Sequence, residues 1–372
     1  MSTAGGRRWG PIVTGVALAL TFLVLLVLGT RLPEGGERTP GPAPQAKTAP
    51  PSWMRPLRAD EKPPQFVLFS FDGAGSHDHW QRVLPLAEQV NAQVTGFLSG
   101  IYLLPDSRST EYTGPGHEPG VASISFGGPD TEVRTRIADL NAAIAAGHEI
   151  GTHYNGHFCA GNEPSEASWS TAQWRDELDQ FFGILRDATG RGLRVAETAV
   201  RGGRTPCLEG DFAELAPAMA DHEFTYDSSR TTEGVAWPTL VDEVWEFWVP
   251  IVRPPALGGK KVIMMDYNLW YAMNGAREEP ARDAEFTRVT LETYRAAFQA
   301  AYNTNRAPLT VGNHFNDWSG GAFTNATEQF MSEICVRAET VCTTYSQVIE
   351  WMSLQDPAVL EKFRAMPAAQ IS

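Results

Sequence analysis

The stretch Gln65-Phe66-Val67-Leu68-Phe69-Ser70-Phe71-Asp72-Gly73 decides the fold of this chain. From Phe66 to Phe71 it is an apolar run of strand length, rich in aromatic residues, and this composition predicts a β-strand. An amphipathic stretch from Trp80 to Val90 follows it and carries its apolar residues at helical spacing. A strand followed by a helix is the repeating unit of a parallel α/β fold.

The rest of the chain continues the same alternation. Further strands are predicted at residues 94–98, 149–153, 198–200, 244–249, 261–265 and 309–314. Helices are predicted at residues 130–146, 169–186, 211–220, 281–301 and 324–338. We therefore expect an α/β protein whose single folded domain is a distorted parallel (β/α) barrel, with an open doubly wound sheet as the alternative.

Length and charge set bounds on the function. The chain has 372 residues, of which 42% are hydrophobic, which is enough for a sizeable core. Its formal net charge is -14, and its pI is near 5.1. Binding to phosphate polyanions relies on clustered Lys and Arg, so we expect no nucleic acid partner.

The N-terminal segment has the pattern of a membrane anchor. Residues 1–9 contain Arg7 and Arg8, and residues 10–30 form an uncharged apolar run. A membrane-spanning helix needs roughly 20 apolar residues, whereas the apolar part of a cleavable signal has about 7 to 15. Length favours a single-pass transmembrane anchor, and a cleaved signal is the alternative. The two arginines predict a cytoplasmic N-terminus and an extracytoplasmic domain.

Composition divides the remainder into a linker, a domain and a tail. Residues 31–64 are rich in Pro, Gly and Ala and predict an extended spacer. We expect the folded domain to cover residues 65–355 and a tail to cover residues 356–372. With the segments above, this predicts a membrane-anchored protein that is secreted if the N-terminus is cleaved.

The four cysteines indicate two disulfides. An extracytoplasmic location favours disulfide formation, and the spacing does not match a zinc ribbon. Cys335 and Cys342 can close a short loop, which would leave Cys159 with Cys207, although the sequence permits three connectivities.

The densest group of metal-binding residue types is the segment from His148 to His157. His153 and His157 are four residues apart, and on a helical turn or a tight turn after a strand both imidazoles can face one ion. A metalloprotease helix would carry Glu directly after the first histidine, where Tyr154 stands here. We predict a metal site on His153 and His157, and a structural role for His148.

Four further polar residues are candidates for catalysis. Asp72 follows the first apolar strand, at the end where barrel enzymes place their chemistry, and can act as a general base. Arg204 precedes Thr205-Pro206 and can hold a carboxylate in place. Asp227 and His314 each follow a short apolar stretch.

Taken in order, these segments resemble the polysaccharide deacetylase family, also called carbohydrate esterase family four or the NodB homology domain. The resemblance covers roughly residues 65–352. The matching motifs are Ser70-Phe71-Asp72-Gly73, His153 to His157, Arg204-Thr205-Pro206, Tyr226-Asp227-Ser228-Ser229 and Asn313-His314. The segments Trp245-Glu246-Phe247-Trp248-Val249-Pro250 and Asn305-Arg306-Ala307-Pro308 resemble the chitin deacetylase-like branch in particular.

The resemblance implies hydrolysis of the acetamide of an N-acetylated sugar, or of an O-acetyl group, in a polysaccharide such as a chitin-like glycan or peptidoglycan. It implies a divalent metal, with zinc the first choice, and no protein partner. Metal binding by His153 and His157 is implied together with a base role for Asp72 and an acid role for His314. Arg204 would orient Asp72, and Asp227 would tune His314.

One position departs from the family pattern. The first motif of the family has two adjacent aspartates, the second of which binds the metal, and Gly73 stands at that second position here. Catalytic zinc sites usually have three protein ligands. The sequence therefore leaves a second reading open, a catalytically impaired glycan-binding domain.

Overall fold

The computed structural model describes residues 51–58 and 60–371 of the chain, and strand β1 (Gln65–Gly73) lies at the centre of its main sheet. It pairs in parallel with β2 (Thr95–Leu98) and β11 (Leu309–His314), and its first residues also pair with β12 (Thr340–Cys342). Every residue of β1 except the last is buried. The apolar run from Phe66 to Phe71 is thus the centre of the core, as the sequence predicts.

Of the remaining strands, five extend the sheet beyond β2 and three form a second sheet. They are β3 (Glu149–Thr152), β4 (Gly202–Gly203), β5 (Tyr226–Asp227), β6 (Thr231–Glu233), β7 (Thr239–Val241), β8 (Val244–Glu246), β9 (Val249–Val252) and β10 (Val262–Ile263). The order in the main sheet is β11-β1-β2-β3-β4-β5-β8-β7, parallel except for the pair β7 and β8. Strands β10, β9 and β6 form a small second sheet. The predicted parallel barrel is therefore found in the form of a curled, mostly parallel half-barrel.

Nine helices occur in the described part of the chain, and most of them connect the strands of the sheet. They are α1 (His77–Gln89), α2 (Asp130–Ala145), α3 (Thr171–Gly190), α4 (Phe212–Asp221), α5 (Asp266–Asn274), α6 (Asp283–Asn303), α7 (Trp318–Ile334), α8 (Tyr345–Ser353) and α9 (Pro357–Arg364). Local signals set several of their ends. Ser76, Asp211 and Thr344 cap α1, α4 and α8 with side-chain oxygens, and α2 ends just before Gly147, which has a left-handed φ of 86°.

Two predicted strands differ from the structure. Residues 198–200 lie mostly in a single 3-10 turn, Glu197–Ala199, and the next strand is only Gly202–Gly203. A side chain at Gly202 would lie 2.3 Å from the carbonyl oxygen of Tyr226, so close packing rather than an apolar run defines β4. The predicted strand 244–249 is divided between β8 and β9, which belong to different sheets. Apolar runs of this length do not reveal a change of sheet.

The ends of the folded unit extend past residues 65 and 355. The ring of Trp53 packs edge-on against Phe66 at 5.7 Å, and the Leu57 amide donates to Gln355. In the predicted tail, Phe363 stacks on Trp237 at 5.7 Å between ring centroids. Part of the predicted linker and most of the predicted tail thus pack against the domain.

The predicted anchor, residues 10–30, lies outside the described residues, as do residues 1–9 and the first part of the linker. Within the described ranges, none of the helices is long and apolar enough to cross a membrane.

Strand register brings the predicted site residues together. Asp72 at the end of β1 is the direct partner of His314 at the end of β11. Thr152, which precedes His153, pairs with Gly203, which precedes Arg204. Because the strands are parallel, these carboxyl ends meet at one edge of the sheet.

Candidate active site

Asp72 and Arg204 form a buried ion pair at this edge. Arg204 Nη1 donates to Asp72 Oδ1 at 2.8 Å, and both side chains are almost completely buried. Burial alone would raise the pKa of Asp72, but the charge of Arg204 and the neighbouring histidines outweigh it, so the pKa lies below its usual range. Asp72 is therefore an ionised carboxylate at neutral pH.

Every nitrogen of the Arg204 guanidinium has a partner. Nε donates to the Ser228 carbonyl at 2.8 Å, and Nη2 donates to Ser228 Oγ at 2.9 Å and to the Tyr345 hydroxyl at 3.1 Å. Nη1 also donates to Ser70 Oγ at 3.0 Å. This network fixes the orientation of the guanidinium and, through it, of Asp72.

His153 is held in one tautomer. Its Nδ1 donates to the carbonyl of Arg204 at 2.8 Å, so the proton is on Nδ1 and the Nε2 lone pair is available to a metal ion. Burial lowers the pKa of His153 to about 3, which keeps the ring neutral. A neutral imidazole oriented by a backbone carbonyl is the usual arrangement of a metal ligand.

His157 lies on a turn that brings it back toward His153. Its φ is 58°, a left-handed value that few residues other than glycine adopt, and the two imidazole centroids are 5.4 Å apart. Burial also lowers the pKa of His157. The predicted pair is thus brought together by the turn that follows β3.

Two buried glutamates hold this turn, and no sequence pattern predicts them. Glu177 Oε1 accepts hydrogen bonds from the amides of Asn155 at 2.8 Å and Gly156 at 3.3 Å, and Glu166 accepts one from Phe158. Burial raises the pKa of Glu177 to about 7. Glu166 lies in a 3-10 turn and Glu177 on helix α3. An acidic residue at such a position is normally exposed to solvent, so the sequence does not indicate a contact with the turn.

A disulfide joins the two loops that carry the site. Cys159 is bonded to Cys207 and Cys335 to Cys342, which confirms the pairing favoured from spacing. The first bond links the His157 turn to the loop after Arg204. Cys159 Sγ lies 3.5 Å from His157 Nδ1. Although His157 and these two sulfurs converge, sulfurs in a disulfide offer no thiolate to a metal.

His314 is paired with Asp266, not with Asp227 as the resemblance implied. His314 Nδ1 donates to Asp266 Oδ1 at 2.7 Å, and the His314 amide donates to Oδ2 at 2.7 Å. Burial would lower the pKa of His314, but the charge and hydrogen bond of Asp266 outweigh it, so the pKa lies above its usual value. Asp266 is the first residue of α5, a helix that the sequence did not predict, and its aromatic composition shows no helical periodicity.

Asp227 supports the arginine loop instead. Its Oδ1 accepts from Ser229 Oγ at 2.6 Å, and Ser229 Oγ in turn accepts from the Thr205 amide at 2.9 Å. Burial raises the pKa of Asp227, which lies close to the carboxyl group of Glu246. Asp227 is therefore linked through Ser229 to the backbone beside Arg204.

Two imidazoles fit a divalent metal in donor type, but a third ligand is lacking. Gly73 has a φ of 84° and no side chain, and within the described residues no third His, Cys, Asp or Glu converges on both His153 and His157. The nearby histidines have other partners. His77 Nδ1 bonds Asp139, and His79 stacks on Phe315 and bonds Ser76.

Comparison with solved structures identifies the fold. A protein from Mycobacterium smegmatis assigned to the polysaccharide deacetylases superposes with a TM-score of 0.50 at 16% identity, covering 86% of this chain and 97% of its own. A Pseudomonas aeruginosa protein that is also assigned to the polysaccharide deacetylases superposes with a TM-score of 0.48 at 12% identity, covering 78% of this chain and 92% of its own. The chitin deacetylase of Colletotrichum lindemuthianum superposes with a TM-score of 0.41 at 13% identity, covering 76% of this chain and 87% of its own.

At these identities the likeness extends to the fold, and it confirms at that level the resemblance based on the five motifs. No protein family model and no curated protein sequence matches the chain.

Proposed function

We propose that this chain is a metal-dependent hydrolase that removes N-acetyl groups, or O-acetyl groups, from an extracellular or cell-wall polysaccharide. The observation that carries the proposal is the placement of Asp72 opposite His314 on adjacent strands, each with a charged partner of opposite sign. This gives one site an ionised proton acceptor and a proton donor. The fold shared with proteins assigned to the polysaccharide deacetylases supports the choice of reaction.

The ion pairs support one direction of proton transfer. Asp72 has a lowered pKa and remains ionised, so it can accept a proton from an attacking water. His314 has a raised pKa, so it can carry a proton to the departing nitrogen of the sugar. Arg204 keeps the acceptor oriented, and Asp266 keeps the donor charged. Positioned groups of this kind contribute roughly 10² to 10⁴ each to the rate.

His153 and His157 would hold the metal through neutral imidazole nitrogens. When bound there, a divalent ion, with zinc as the first choice for nitrogen ligands, supplies Lewis acidity to the reacting carbonyl. The Arg204 carbonyl orients the His153 ring, and Cys159 contacts the His157 ring, which supports this assignment.

The location of the domain is part of the proposal. Two disulfides suit an oxidising compartment outside the cytoplasm. The apolar residues 10–30 would anchor the chain in the cell membrane with the domain outside.

Gly73 favours one competing function, a glycan-binding domain with impaired catalysis. It removes the carboxylate that the family motif places beside the base. Losing even a group that only orients a ligand costs roughly 10- to 100-fold in metal affinity or activity.

Metal analysis and acetate release separate the two functions. The full chain is assayed for zinc content and for acetate released from N-acetylglucosamine oligomers and peptidoglycan. We expect His153→Ala to lower zinc occupancy, and His314→Ala to keep occupancy and lose acetate release. A chain that binds the oligomers but releases no acetate with zinc, manganese or cobalt added would establish the binding function instead.

A further inference from the structure

A second group of metal-binding residue types converges where the first disulfide joins the two loops. A ring nitrogen of His157 and the sulfurs of Cys159 and Cys207 all lie within 4.8 Å of one another. His157 and Cys159 are partly exposed and Cys207 is exposed, so a small solute can reach the group. Only a thiolate sulfur binds a metal, so the disulfide is what withholds both sulfurs from an ion.

The spacing of these atoms is that of ligands around one zinc ion. Cys159 Sγ lies 3.5 Å from His157 Nδ1. In tetrahedral zinc sites the bonds are about 2.3 Å to sulfur and about 2.0 to 2.1 Å to nitrogen, which places two such ligand atoms roughly 3.6 Å apart. The same geometry requires roughly 3.8 Å between two sulfurs. Rotation of the two cysteine side chains accommodates this once their bond is broken, because their Cα atoms are 6.0 Å apart.

The two loops are also held together by a contact that does not depend on the disulfide. The Ala160 amide donates to Glu209 Oε2 at 2.7 Å, which joins the residue after Cys159 to a residue just past Cys207. Within the first loop, the Cys159 amide donates to the His157 carbonyl at 3.1 Å. The buried glutamates described above hold the same turn. The three side chains therefore stay close together when the disulfide is reduced.

We propose that reduction of the Cys159–Cys207 disulfide by a dithiol creates a zinc site formed by His157, Cys159 and Cys207, here called the thiolate site. The dithiol is oxidised to a disulfide, the protein disulfide is reduced to two thiols, and zinc displaces the two thiol protons as it binds. Two thiolates and one imidazole suit zinc, and three protein ligands leave the fourth position of its tetrahedron to water.

The thiolate site goes beyond the proposed function and does not depend on it. It differs from the pair of His153 and His157 in two of its ligands, and it exists only in the reduced protein. The chain is synthesised with its cysteines as thiols, so the site is present before the disulfide forms as well as after a dithiol reduces it. A chain that releases no acetate can still have it.

Cobalt titration tests the inference, because cobalt(II) bound to thiolates has a charge-transfer absorption in the near ultraviolet that cobalt bound to nitrogen alone lacks. The full chain carrying Cys335→Ser and Cys342→Ser retains only the cysteines of the thiolate site. It is reduced with a dithiol, freed of the dithiol without oxygen and titrated with cobalt. We expect the thiolate absorption in the reduced protein and none in the oxidised protein.

A histidine variant in the same background tests the third ligand. His157→Ala should weaken zinc affinity of the reduced protein, measured by competition with cobalt, by at least the roughly tenfold that even a group orienting a ligand contributes. His222→Ala is the matched control, because His222 stacks on Phe182 at 4.5 Å and is not among the converging groups. It should leave zinc affinity unchanged.

Circular dichroism of the reduced protein before cobalt is added makes each outcome decisive. A reduced protein that keeps the native spectrum but shows no thiolate absorption overturns the inference, as does equal zinc affinity with and without His157. Loss of the native spectrum on reduction also overturns it, because the thiolate site requires the two loops to stay together. None of these outcomes bears on the hydrolase, which is tested on the oxidised protein.

Discussion

Replacing Gly73 with aspartate should create the missing metal ligand. The carboxylate would follow Asp72 at the end of β1, at the same edge as His153 and His157. There is room for it, because a β-carbon at Gly73 would meet Tyr102 Cε2 at 3.4 Å and the Tyr102 hydroxyl at 3.7 Å, which are ordinary contacts.

Gly73→Asp should have two opposing effects, one on the stability of the metal-free protein and one on metal affinity. The φ of 84° at Gly73 is unfavourable for any side chain, and the substitution should reduce the stability of the metal-free protein by roughly 1 to 3 kcal/mol. Metal affinity should rise at least by the 10- to 100-fold that a supporting group contributes, which is about 1.4 to 2.8 kcal/mol. Bound zinc should then recover stability in proportion to its concentration over Kd.

Zinc titration calorimetry on the metal-free full chain measures the change in metal affinity, and thermal unfolding without metal measures the loss of stability. Gly73→Asn is the matched control, because asparagine has the same shape, tolerates a left-handed backbone and has no charge. Both variants should unfold at a lower temperature than the wild type, but only Gly73→Asp should bind zinc more tightly. Equal zinc affinity in Gly73→Asp and Gly73→Asn would refute the reasoning that position 73 faces the metal.

Three further predictions concern the groups around the site. Asp266→Asn removes the charge that opposes the effect of burial, so the pKa of His314, measured by NMR titration, should fall; an unchanged pKa would contradict the pairing. Replacing Cys159 and Cys207 with alanine opens a disulfide loop with a sequence separation of 48 and should lower the free energy of unfolding by about 4 kcal/mol. Replacing Cys335 and Cys342, which have a separation of 7, should lower it by about 2 kcal/mol. Zinc affinity should fall only in the first case, and equal losses would show that the disulfide does not position the turn. Glu177→Gln should flatten the dependence of stability on pH. Because the pKa of Glu177 is raised to about 7 in the folded state, the wild type should lose roughly 3 kcal/mol of stability as pH rises from about 4.5 to about 7. An equally steep decline in the variant would contradict this.

Local sequence predicted the central strand, most helices and five site residues. Phe66 to Phe71 predicts a buried strand because apolar burial dominates folding, and Asp72, Arg204 and His314 each lie where a strand or its loop ends. The spacing of His153 and His157 predicted a shared ion because both lie on one turn. These inferences depend on short stretches of chain, where the backbone alone limits which side chains can meet.

Only the tertiary structure decided which partner each group has. Asp266 reaches His314 across 48 positions of sequence, through a helix whose aromatic residues hide its periodicity. Asp227 is turned toward Ser229 instead, although it too lies at a strand end. Glu177 is buried under the histidine turn, where a sequence pattern predicts a solvent-exposed acid. Such choices depend on how the helices pack on the sheet, and the sequence determines that packing only through the sum of many distant contacts.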